Sequence, residues 1–130
     1  FIHSPWSYEQ FADLLPADKW ITYVGRGKGS QTWPECGFYG LNVQNEICKK
    51  FMQEFERVYE DADNGIFLLE EWHDSYVWDC VRKKHLQGSK THNLAPRIDK
   101  VGNPWPNTFM SEYCDHLKGK KRKDTGEMLK

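Results

Sequence analysis

The run from Gly37 to Glu60, GFYGLNVQNEICKKFMQEFERVYE, holds both kinds of regular structure and decides the fold class. Gly37 to Val43 is dense in residues that suit a pleated backbone. It predicts a buried strand in which Gly37 and Gly40 allow close backbone approach. Asn45 then opens the clearest helix of the chain, predicted to run to about Glu60. Its apolar residues Ile47, Cys48, Phe51, Met52, Phe55, Val58 and Tyr59 recur at three-four spacing, a stripe that must face a core. Asp63-Asn64-Gly65 closes the unit with turn chemistry. A strand feeding a long amphipathic helix points to a mixed α/β chain.

The next stretch, Phe67 to Arg82 (FLLEEWHDSYVWDCVR), sets Glu70, Glu71, His73, Asp74 and Asp79 among Trp72, Tyr76, Val77 and Trp78. Carboxylates and an imidazole are costly to bury among rings without partners, so this is a candidate polar site. Trp72, Tyr76, Val77, Cys80 and Val81 fall at helical spacing and predict an inward face. Asp74 or Ser75 stands at the expected helix start, where either can cap free N–H groups. Two readings of Asp74, cap and chemical group, are open. His73 beside it is open between a structural hydrogen-bonded pair and a catalytic one.

Upstream, Ser7-Tyr8-Glu9-Gln10 is a capping box that opens a short helix to about Leu15. Trp20 to Val24 is rich in β-formers and predicts a strand ending at Gly25. Arg26 to Glu35 reads as an ordinary polar loop, without the spacing of a phosphate-binding loop. Downstream, His92 to Ala95 predicts a short strand or extended segment, and His85 and His92 read as surface residues. Val101 to Asn107 must be a loop, because prolines bracket Trp105. Asn107 or Thr108 can cap a helix carrying Phe109, Met110, Tyr113 and Leu117. The predicted strands are few for this much helix. The expectation is a small incomplete sheet flanked by helices, completed by residues outside the chain or by a second copy in a homodimer.

At 130 residues the chain suits one domain. Its formal charge of -1 argues against nonspecific nucleic-acid binding by the molecule as a whole. Charge is uneven, with acids dominant from Glu54 to Asp79 and a basic run of Lys118, Lys120, Lys121, Arg122 and Lys123. Residues 118–130 read as a solvated or disordered basic tail. The four cysteines, Cys36, Cys48, Cys80 and Cys114, include no C-x-x-C pair, and Cys48 and Cys80 suit buried free thiols. A reducing, cytoplasmic setting is expected, and no apolar run is long enough to span a bilayer. The opening Phe1-Ile2-His3-Ser4-Pro5-Trp6 reads like the interior of a longer protein. Trp33 and Trp105 lie in loop-like sequence, where tryptophans either contact rings of a ligand or cover the core.

Four segments together resemble sugar-nucleotide glycosyltransferases of the GT-A type: Thr22 to Arg26 (TYVGR), Glu35 to Asn42 (ECGFYGLN), Glu70 to Asp79 (EEWHDSYVWD) and Asp115 to Lys123 (DHLKGKKRK). The resemblance covers the part after the family's metal-binding D-x-D and implies the C-terminal portion of a nucleotide-diphospho-sugar transferase fold. It implies a nucleotide-sugar donor, a glycan acceptor and a divalent metal, Mn²⁺ or Mg²⁺, with His116 as a metal ligand. Donor or phosphate contacts fall on Gly37, His116, Gly119, Lys121, Arg122 and Lys123, and acceptor contacts on Trp33 and Trp105. Asp74 would orient sugar hydroxyls or act as base, with His73 beside it and Glu71 and Glu35 as further candidates. Arg122 stands where the family has lysine, and Asp61-Ala62-Asp63 lies in a post-helix turn rather than in a D-x-D strand. The nucleotide-binding half would then lie outside this chain, which alone would be inactive. Two rival readings use the same residues. One is a non-enzymatic module that holds a glycan or partner with its aromatic loops and basic end. The other is a metal-dependent hydrolase using His73, Asp74 and His116.

Overall fold

The computed structural model describes residues 2, 4–26, 33–86, 88–95, 105 and 108–114. Helix α1 (Tyr8–Asp13) starts as its capping box requires: Gln10 N donates to Ser7 Oγ, and Ser7 N donates to Gln10 Oε1. Strand β1 (Ile21–Val24) pairs antiparallel with β2 (Glu35–Leu41) and parallel with β3 (Thr91–Asn93), giving a three-stranded sheet in the order β2-β1-β3. Between β2 and β3 run α2 (Glu46–Glu60) and α3 (Asp74–His85), with two short 3₁₀ turns joining them. The fold is mixed α/β with a small sheet, as the sequence predicts. No helix among the described residues is long and apolar enough to cross a membrane.

Helix α2 follows its sequence closely. Asn45 Oδ1 accepts from the backbone N–H groups of Ile47 and Cys48, and Cys48, Phe51 and Val58 are buried. Strand β2 departs from expectation. It begins earlier, at Glu35, and ends at Leu41, leaving Val43 exposed. It lies at one end of the described sheet rather than inside it, and past Glu35 none of its residues is fully buried. The sheet register explains the early start, because Val24 pairs with Glu35 across an irregularity at Tyr23/Val24. Close approach does hold at Gly40, where a Cβ would sit 2.9 Å from Thr22 Cγ2.

Helix α3 turns a different face inward from the one predicted. Val77, Trp78 and Val81 are buried, whereas Tyr76 and Cys80 are half-buried and Trp72 is 57% exposed. Trp72 precedes the helix, so helical spacing does not govern it. The buried indole of Trp78 meets the rings of Tyr23 on β1, Tyr39 on β2 and Phe51 on α2, with centroids 5.5–5.7 Å apart. Buried Asp79 beside it is matched by Arg82 and Lys83, each at 2.7 Å. Arg82 also lies over the Tyr23 ring at 4.9 Å.

A second cluster forms from Leu14, Val24, Ala95, Trp105, Met110 and Cys114, with Phe38 and Trp6 against it. The predicted C-terminal helix is here a 3₁₀ turn, Phe109–Glu112. Instead of capping it, Thr108 Oγ1 donates to Trp105 O, and Trp105 Nε1 donates to Cys114 O. Leu117 lies outside the described residues. His85 and His92 are half-buried rather than on the surface, with His92 Nδ1 3.3 Å from Leu14 O.

Two tests follow from this packing. Trp78→Ala should lower unfolding free energy by about 3–5 kcal/mol in a urea titration, whereas Trp72→Ala, at an exposed ring, should cost much less. Glu54 bridges α2 and α3 by accepting from Arg57 and Lys84, and these bonds hold its carboxyl down at about 2. Its contribution is present above the ordinary glutamate value near 4.3 and fades as pH falls toward 2. Glu54→Gln should therefore lose stability at neutral pH and flatten the acid limb of the stability curve.

Candidate functional site

One end of the sheet collects the chemistry. There β1 ends and β2 begins, and half-buried Arg26 and buried Glu35 join the two strands through an ion pair of 2.8 Å. On the parallel neighbour, Asn93 Oδ1 accepts from the backbone N–H groups of Gly25 and Ala95 at 2.8 and 2.9 Å. A Cβ at Gly25 would displace the Asn93 amide that holds these two N–H groups. The strand ends are thus fixed by their own side chains.

The start of α3 sits over this end. The cap is His73, not Asp74 or Ser75: Tyr76 N donates to His73 Nδ1 at 3.2 Å. A histidine fills the role because its backbone is extended and its ring nitrogen reaches the third helical residue. A backbone N–H can only donate, so Nδ1 is unprotonated and the neutral ring carries its proton on Nε2. That proton is donated to Glu71 Oε2 at 2.8 Å. Both ring nitrogens are occupied. Asp74 becomes the first helical residue, with Oδ1 accepting from Ser75 N at 2.7 Å. Glu71, His73 and Asp74 are all exposed, and the two carboxylates make these hydrogen bonds through one oxygen each, Glu71 Oε2 and Asp74 Oδ1.

Rings close the site. Trp33 lies 5.1 Å from the His73 ring and 5.6 Å from that of Tyr76, centroid to centroid. Phe67 and Trp72 form a second, exposed pair 5.0 Å apart, and Trp72 Nε1 donates to Leu69 O. Beneath Asp74, burial pushes the Cys36 thiol up to about 12, with a hydrogen bond to Ser75 opposing and Asp74, Glu35 and Asp79 adding to the rise. Burial raises the Tyr59 phenol first, and Asp74 and Cys36 raise it further. Those couplings bring the end of α2, the start of β2 and the start of α3 together.

Of the residues singled out by sequence, the structure brings together Trp33, Glu71, His73 and Asp74, with Glu35 beneath. Gly37 is exposed on β2. Trp105 is not at the site: it is 6% exposed, in the second cluster, with its ring against Phe38. His116, Gly119, Lys121, Arg122 and Lys123 lie outside the described residues. Cys36 and Tyr59 were not legible as site neighbours, since nothing in their spacing links them to Asp74. Phe67 and Trp72 carried a signal, two large rings beside an acidic pair, but the helical periodicity absorbed Trp72. Among the described residues no group of three or more His, Cys, Asp or Glu side chains is placed to hold a metal ion.

Comparison with protein-family models, curated proteins and solved structures finds no match.

The thiols set an alkaline limit. From about pH 8.5, where unfolded thiols ionise, up to about 12, the folded chain keeps the Cys36 proton that the unfolded chain gives up. Stability should therefore fall as pH rises through that window, and Cys36→Ser should reduce the slope in urea titrations. Alkylation of Cys36 at pH 8, followed by mass spectrometry, should be much slower than that of a model thiol.

Proposed function

We propose that this chain is part of a GT-A-like glycosyltransferase and that the start of α3 forms one wall of its sugar site. The observation that carries the reading is convergence: three of the four segments that resemble the family, on β1, β2 and α3, meet at one end of the sheet. In the proposed reaction an acceptor hydroxyl oxygen attacks the anomeric carbon of the donor. The bond from that carbon to the phosphate oxygen breaks, and the nucleoside diphosphate leaves with the electron pair. The hydroxyl proton passes to a carboxylate, for which Asp74 is the assignment. His73 positions rather than reacts, since both its nitrogens are engaged. Trp33 offers a ring beside that carboxylate against which a sugar can lie. The negative charge of the leaving diphosphate calls for the basic run with His116, outside the described residues. A divalent metal, when bound, would supply further neutralisation. The described residues do not by themselves form a site for it.

The exposed Phe67–Trp72 pair favours a second reading, a module that binds a glycan without transferring it. One experiment separates the two. Melting temperature is followed with Mn²⁺, with a panel of nucleotide sugars, with both, and with neutral oligosaccharides alone. A rise that needs metal and nucleotide together supports the transferase. A rise with oligosaccharide alone, abolished by Trp72→Ala, supports the module. In a form of the protein with turnover, Asp74→Asn should cut kcat by about 10²–10⁴-fold, the usual span for a lost acid–base group.

A further inference from the structure

We propose that His73 is a proton-operated latch on the start of α3: the neutral imidazole caps the helix, and protonation releases it. The functional consequence rests on the site reading above, whereas the latch itself rests on hydrogen-bond geometry.

The cap needs a lone pair on Nδ1, because its partner at 3.2 Å is the backbone N–H of Tyr76. A neutral ring supplies that lone pair while Nε2–H serves Glu71 at 2.8 Å. An imidazolium has an N–H on both nitrogens and no acceptor. Its Nδ1–H would then point at another N–H, so either the ring turns away or the first turn of α3 opens. The usual capping residues, serine, threonine, asparagine and aspartate, keep their acceptor through this change. Histidine is the cap that loses it between about pH 5 and 8.

Charged and titratable groups surround the ring. Glu71 Oε2 is in direct contact with it at 2.8 Å. Asp74 follows in the chain with Oδ1 on Ser75 N, and Glu70 precedes it and faces Tyr76. From the neighbouring elements Cys36 of β2 and Tyr59 of α2 face Asp74, and Glu35 of β2 faces Cys36. Protonation therefore exchanges the backbone cap for a stronger bond to Glu71. The imidazolium follows Glu71, and the first turn bearing Asp74 loses its anchor. Trp33, packed on the same ring at 5.1 Å, moves with it. The wall is assembled when His73 is neutral and loosened when it is charged.

The test is nuclear magnetic resonance on the whole chain from pH 8 to pH 5, following the His73 ring and the Tyr76 amide together. After correction for the intrinsic pH dependence of exchange, Tyr76 amide protection should drop about fivefold or more, the scale of a lost cap. The drop should share the midpoint of the ring titration. His73→Asn keeps an acceptor without titrating, and its Tyr76 amide should hold steady across the range. Protection that ignores the ring titration in the unaltered protein overturns the latch, as does an unchanged pH response in His73→Asn. No nucleotide, metal or glycan enters these measurements. Failure of the latch and failure of the transferase reading are thus told apart, since the latter is read from nucleotide and metal alone.

Discussion

The burial of one indole constrains most of this molecule. Trp78 is fully enclosed and touches an aromatic ring from each of β1, β2 and α2. A flat, rigid side chain held by three rings sets the rotation of α3 about its axis, because turning the helix would lift the ring out of its slot. The cost is visible. Trp78 Nε1 is buried without a hydrogen-bond partner among the described residues, a loss of about 1–3 kcal/mol that the ring contacts must exceed. The same rotation carries the neighbouring Asp79 inward, where Arg82 and Lys83 neutralise it from the same helix. Neither ion pair is incidental, since an unpaired carboxylate at that depth would be far costlier than the pair.

With α3 set in this way, its first turn has one place to go. Ser75 faces Cys36 at the start of β2, and His73 meets Trp33 just before that strand. The candidate site follows from the core: a buried ring in the second turn of the helix aims the capping residue and the first carboxylate of the first turn. The other face of the sheet has its own cluster around Trp105 and Met110 and takes no part in this geometry. That separation is why two tryptophans that look alike in sequence, Trp33 and Trp105, end in different environments.

Much of this was readable in advance where the signal is local. Ser7 with Gln10, and Asn45 ahead of a seven-residue apolar stripe, announce helix starts through chemistry completed within one turn. The strands at Ile21 and Glu35 follow from their β-forming content, although the start of β2 depended on a pairing with Val24 that no local pattern encodes. The inward face of α3 was misjudged because Trp72 fits the periodicity yet stands before the helix. The cap at His73 was missed because histidine seldom caps, and Asp74 and Ser75 beside it are both better capping residues. Of the residues singled out by sequence, Glu71, His73, Asp74 and Trp33 come together, whereas Trp105 lies in the other cluster.

By itself the sequence determined the kinds of elements and their order, since turns, caps and apolar periodicity act over a few residues. It also determined which stretch would combine acids, imidazole and rings. Tertiary structure alone decided which tryptophan became core and which thiol came to lie beside Asp74. Those outcomes depend on contacts between residues far apart in the chain. Trp78 against Tyr23, Tyr39 and Phe51 joins four elements, and no spacing within any one of them specifies that meeting.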